Sequence, residues 1–255
     1  MIDATVLNLM ASSTSRVRGR VSVTTAKILA LAEVYRRLGK QFSFGADGQL
    51  DARVNSLLVE LSDAVMEDMV YAARQTLPED EDGDTVIAWA RLSTNAQNTV
   101  DKYSSHLKYI LEGWLAIGFA NGLSNGRLET MIMTYMENPY ITPLWMEAFR
   151  DGMEYASKII REGGYHWGKG TPISPVKGMS IMESTFINTA YQKGVVNGFA
   201  RRGAIGYRVY RGSSYDCEIC DEATIGIHPI DEVILPLHGH CMCYAVPVFG
   251  GEENL

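Results

Sequence analysis

The chain has 255 residues, 46% of them hydrophobic and 21% charged, with a formal net charge of -7. This length suits one large domain or two modest ones, and the acidic balance excludes a protein that wraps nucleic acid over its whole surface, though not a local basic patch. No apolar run has the length of a membrane span, and Met1 to Ser15 lacks a basic leader and an apolar h-region. We therefore expect no membrane anchor, no signal peptide, and a chain made in a cytoplasm.

From about Val6 to Gly203 the apolar residues recur with helical spacing. The segment Asp51 to Thr76 opens on Asp51 as N-cap and aligns Leu58, Leu61, Val65, Met69 and Ala72 on one face. Pro78 and the acidic run Glu79 to Asp84 read as a solvated loop, without the spacing of an EF-hand. A long helix is expected over Ala96 to Asn121, with Tyr103, Leu107, Leu111, Trp114 and Gly118 along one stripe. A shorter helix follows near Leu128 to Glu137, and Pro139 with Pro143 mark a break. Pro143 then begins a helix carrying Trp145, Phe149, Ala156 and Ile160, ended by Gly163-Gly164.

Gly164 to Lys177 is rich in breakers and reads as a loop, followed by a helix from about Met179 to Arg202. That helix buries Ile187, Tyr191, Val195 and Phe199, and Gly203 is its C-cap glycine. The period then changes: Tyr207 to Arg211 and Tyr244 to Val248 read as strands, the second confined to an edge or a strand end by Pro247. The expected fold is a mainly α helical body with a small α+β C-terminal Cys/His-knuckle domain.

All four cysteines fall in one C-terminal stretch. Cys217-Glu218-Ile219-Cys220 is a C-x-x-C, and about twenty residues later comes Pro236-Leu237-His238-Gly239-His240-Cys241-Met242-Cys243, a spacing of the kind zinc sites use. Soft thiolates and imidazoles in this order suit a tetrahedral ion, and a small end piece with little core needs such a staple. The candidate ligands are Cys217, Cys220, His238, Cys241 and Cys243, and His240 offers a further donor. The spacing also suits a local disulfide pair or reduced thiols packed as small hydrophobes. No H-E-x-x-H or H-x-E…P-C-x-x-C pattern accompanies the cysteines, so a catalytic zinc is not indicated.

At these residues the chain resembles the MuF-like family of phage head-morphogenesis and minor head proteins. That family runs helix, short strand, Asp, C-x-x-C, a Gly-containing turn, and P-x-H-x-x-C-x-C before a final strand. The corresponding residues are the helix around Glu183 to Tyr191, the strand Gly206 to Arg211, and Asp216 before Cys217. Gly226 stands in the turn, and Pro236 to Cys243 closes the motif before Val246-Pro247-Val248. The chain departs from the family at Met182-Glu183-Ser184, where an Arg is usual, and at Met242, where an Arg commonly separates the last two cysteines.

The resemblance implies an N-terminal helical region over residues 1–113 and a MuF-like domain over 114–255, with the knuckle at 206–248. It implies a non-enzymatic part of the virion, near the portal or inner capsid, assembled in the host cytoplasm. Its implied partners are the portal protein, the major capsid or scaffold protein, and packaged DNA through the N-terminus. It further implies a role in head morphogenesis and in DNA packaging or ejection; structural zinc is the cofactor that the Cys/His spacing itself suggests.

Other patterns carry less. Arg16, Arg18, Arg20, Lys27, Arg36, Arg37 and Lys40 make the N-terminus locally basic, which together with the knuckle suggests a zinc-ribbon-like nucleic-acid-binding module as the alternative reading. A solvated helix face explains the same charges, and no aromatics interleave them. Gly163 to Thr171 approaches a phosphate loop but has Gly170 where Ser or Thr must hold magnesium. Tyr210 to Ser214 is similar to the arginine strand of ADP-ribosyltransferases, yet such an enzyme needs a later catalytic Glu on its own strand, and after Cys243 only a short tail with Glu252 and Glu253 remains; Arg211 reads as an edge-strand charge. His106 and His166 have no nucleophile at a telling spacing. No active site is legible.

Overall fold

The computed structural model describes residues 2–36, 42–137 and 173–251. It is mainly helical, with a small three-stranded antiparallel sheet near the C-terminus. The helices are α1 (Ala4–Ala11), α2 (Ser13–Glu33), α3 (Gly48–Arg74), α4 (Gly83–Thr94), α5 (Ala96–Ala120), α6 (Asn125–Glu137), α7 (Pro175–Arg201) and α8 (Glu218–Ala223). The strands are β1 (Gly206–Tyr210), β2 (His228–Pro229) and β3 (Tyr244–Val248). The helix expected around Trp145 to Ile160, the Gly163 to Thr171 segment and His166 lie outside the described residues.

The chain forms two compact units that interleave in sequence. One comprises Met1–Ser13, Met66–Ala96 and Ile181–Leu255, and the other Thr14–Val65 and Gln97–Ser180. The boundary expected at residues 113/114 falls inside the continuous helix α5.

In the second unit the expected aromatic stripe is core: Tyr103, Leu107, Leu111 and Trp114 are buried, and Trp114 meets Tyr135 edge-on at 5.7 Å. Gly118 belongs to that stripe because its missing side chain leaves room for Leu128, whose Cδ2 lies 2.3 Å from where a Cβ would be. The start of α3 corrects the sequence reading. Its cap is Asp47, whose Oδ1 accepts from the amides of Gln49 (2.9 Å) and Leu50 (3.0 Å). Asp51 sits one turn inside and pairs with Lys108 at 2.5 Å. Propensity reads the two aspartates alike; only extended backbone at Asp47 presents a carboxylate to the open amides.

In the first unit the acidic run is more than a solvated loop. Asp82 caps α4, accepting from the Thr85 amide at 3.3 Å and its hydroxyl at 2.6 Å. The Glu81 side chain, only 4% exposed, accepts from Asn197 and Arg201 of α7, both at 2.6 Å. That carboxylate in turn raises the Arg201 pKa. A carboxylate in that position is retained because two donors replace its water.

Helix α7 starts earlier than the breaker-rich sequence suggests. The Ser174 hydroxyl accepts from the Lys177 amide at 3.2 Å, and Pro175 takes the first helical position, where its missing N–H costs nothing. At the other end Gly203, at φ +81°, closes a Schellman motif: its amide donates to Ala200 O, and the Ala204 amide to Phe199 O. The chain then enters β1, the central strand of the order β2-β1-β3, with Tyr210 opposite Tyr244 and Gly206 opposite Val248. Pro247 thus lies on an edge strand. Arg211 lies one residue beyond β1 and is ion-paired with Asp221, which corrects its reading as an edge-strand charge.

Asp47→Ala is expected to lower stability by about 1 kcal/mol, whereas Asp51→Ala, which removes a partly exposed ion pair, is expected to cost about 0.5 kcal/mol or less. Urea midpoints of the two variants, compared at equal slope, check the difference.

Candidate metal centre

Two pieces of the first unit deliver the cysteines. Beyond β1 the chain reaches Cys217, which has extended backbone (φ -153°, ψ 103°) and stands at the N-cap of α8, while Cys220 lies in that helix's first turn. This is why a C-x-x-C works: a helix start puts residues three apart on the same side. Cys241 and Cys243 enter from the far side, on the run that leads into β3. His238 precedes them by a tight turn in which the Cys241 amide donates to His238 O at 3.1 Å.

The donors form two groups that share Cys220. Cys217, Cys220 and His238 have their ligand atoms within 4.8 Å of one another, and so do Cys220, Cys241 and Cys243. His238 Nε2 lies 3.5 Å from Cys217 Sγ and 3.1 Å from Cys220 Sγ. Its Nδ1 lies 2.8 Å from Gly239 O; donation there leaves the Nε2 lone pair toward the sulfurs, the arrangement a metal-bound imidazole uses. His240, exposed and at φ +61°, is outside both groups among the described residues. None of the four cysteines is in a disulfide.

Donor type and spacing fit a metal ion: around a tetrahedral ion with metal–sulfur bonds of about 2.3 Å, neighbouring donors sit roughly 3.5–4 Å apart. These Cys/His groups could hold such an ion, with Cys220 as the thiolate common to either choice of partners. Burial, then the neighbouring Cys217 and Cys243 thiols, push the Cys220 pKa far up, and burial raises Cys243 as well. Cys217 goes the other way. The Cys220 amide and thiol, helped by the Ile219 amide and the Arg211 guanidinium, hold it below the usual thiol value. A metal must therefore displace protons from the buried thiols, so affinity falls as pH falls.

Four residues that support this centre were not legible as such. On α7, Asn188 Nδ2 donates to Cys241 O at 2.8 Å and Gln192 Nε2 donates to Cys243 O at 3.2 Å, one helical turn apart. Gln192 also donates to Asn188 Oδ1 at 3.2 Å, so the two carboxamides brace each other. Both are almost fully buried, and two carboxamides four residues apart in a helix were the available signal. Gly212 is the third: a Cβ there would lie 1.8 Å from Met242 O, so only glycine lets the end of β1 close on the Cys241–Cys243 run. The fourth, Asp221, holds Arg211 beside the sulfurs.

Elsewhere the singled-out residues take ordinary roles. His106 is on α5 beside Tyr109, and Arg37, Lys40, Glu252 and Glu253 lie outside the described residues. Arg18 pairs with Glu137 at 2.8 Å, Lys27 with Glu60 at 3.8 Å and Arg36 with Glu33 at 3.0 Å. Among the described residues no helix is long and apolar enough to cross a membrane. Comparison with family models, curated proteins and solved structures returns no match.

Asn188→Ala leaves the buried Cys241 carbonyl without its donor and should cost about 1–3 kcal/mol; a thermal midpoint equal to that of the unmodified chain would contradict the bracing role. In metal-free folded protein at neutral pH, Cys217 should alkylate well before the other three cysteines, because it is partly exposed and its thiolate forms at lower pH. Peptide mapping after brief iodoacetamide treatment reads the order.

Proposed function

We propose that this chain is a structural minor head protein of a tailed phage, associated with the portal or inner capsid and acting in head morphogenesis. Its C-terminal module is stapled by a structural zinc ion. The observation that carries the reading is the order in which the module closes: helix α7, strand β1, the Cys217/Cys220 knuckle, then His238, Cys241 and Cys243, then β3 paired back onto β1. That is the sequence of elements through which the chain resembles MuF-like proteins, and the donors that resemblance singles out meet around Cys220.

Zinc is the ion that best suits a mixed thiolate and imidazole set, and its role here is to lock a small sheet that has little core of its own. Cys217 and His238, 3.5 Å apart, are read as ligands of that ion and not as a nucleophile with its base, which makes the module's role structural. The portal, major capsid and scaffold proteins are the proposed partners, and packaging or ejection of DNA the proposed wider process. The competing nucleic-acid-binding reading would rely on the N-terminal basic residues. Arg18, Lys27 and Arg36 already have carboxylate partners, with which a phosphate would have to compete.

Two measurements test this. In a gradient of assembling particles the chain should co-sediment with portal-bearing proheads in low copy; its absence from proheads and finished particles alike would remove the assignment. Metal analysis of protein made with zinc supplied should find about one zinc per chain. Cys220→Ser should lose it and loosen the C-terminal module while the other helices stay folded. Metal-free protein whose module is equally stable would overturn the staple.

A further inference from the structure

The net charge of the chain resides in its last segment. After Arg211 there is no Lys or Arg, while residues 212–255 contain eight Asp and Glu; the preceding 211 residues hold twenty-three basic and twenty-two acidic side chains. Acidic residues alone amount to a solvated face. Here they are interleaved with large apolar side chains that face water. Tyr215 is 82% exposed, Ile225 75%, Ile219 55% and Ile227 41%.

The local structure explains why these side chains stay outside. Helix α8 commits Cys220 and Ala223 to the sulfur-lined core, which leaves Glu218, Ile219, Asp221 and Glu222 on its exposed side. Gly226, at φ +82°, makes the turn between Ile225 and Ile227. Of the α8 carboxylates, Asp221 is engaged by Arg211, whereas Glu218 and Glu222 have no ion-pair partner among the described residues.

We infer that the outer side of α8 and its flanking turns form a docking surface for a protein segment that carries Lys or Arg beside apolar side chains. The apolar groups supply the desolvation gain and the carboxylates select the sign of the partner. The same carboxylates repel a phosphodiester backbone and an anionic lipid surface, and a second copy of this chain would bring like charge against like. This inference is independent of the phage assignment.

The test uses the full chain and three labelled probes: a short peptide alternating Lys and Leu, its Glu and Leu counterpart, and a DNA duplex, followed by fluorescence anisotropy. The Lys/Leu peptide should bind, more weakly as salt rises, and the other two should not. Ile225→Ser and Tyr215→Ser should each weaken it about fivefold or more, and joint Glu218→Gln and Glu222→Gln should weaken it and flatten the salt dependence. All four positions face solvent, and an unchanged thermal midpoint certifies the fold of each variant. Four results would overturn the proposal: no peptide binding, binding indifferent to the apolar substitutions, DNA binding of equal strength, or self-association that Ile225→Ser abolishes.

Discussion

Two carboxamides on one helix face fix the C-terminal module. Asn188 and Gln192 hold the carbonyls of Cys241 and Cys243, so the thiols of those residues are set by α7 before any ion is considered. Hydrogen bonds inside a protein are worth most when the alternative is a buried carbonyl with no partner, and these carbonyls have no water to return to. The rest follows from their position. Gly212 must be glycine for β1 to approach the same run, and Cys217 must stand at a helix start for its pair to face it.

That arrangement gives the module a divided character. Inward, the cysteines join Tyr207, Val209, Phe199 and Leu235 in one cluster. Outward, the same helix that carries the knuckle and the turn after it show carboxylates and isoleucines to water. The proposed metal staple and the proposed docking face would both follow from one constraint: a short helix whose inward positions, Cys220 and Ala223, go to the sulfur-lined cluster.

Helix α7 serves this arrangement because it is buried on most of its circumference. Such a helix ordinarily reads as apolar all round, yet α7 keeps Ser180, Glu183, Ser184, Asn188, Thr189 and Gln192 inside. Several of its hydroxyls return to its own backbone, as Ser180 does to Val176 O and Thr189 to Thr185 O, which satisfies them without a tertiary partner. Asn188 and Gln192 reach out instead, and Arg201 at the helix end is fastened to the buried Glu81.

By itself the sequence determined what is local or periodic. The helical stripes from Leu58 to Ala72 and Tyr103 to Trp114, the Gly203 cap, strand β3 with Pro247 on an edge, and the clustering of all cysteines near one another each follow from spacing that needs no third dimension. Tertiary structure decided what depends on which groups of like chemistry meet. Asp47 rather than Asp51 caps α3 because of its backbone conformation, and Glu81 leaves the solvated run because Asn197 and Arg201 come to it. His238 rather than His240 faces the sulfurs because the turn between them puts His240 at positive φ. In these cases residues of the same or similar type compete along the chain, and the choice falls to backbone conformation, as at Asp47 and His240, or to a partner distant in sequence, as at Glu81.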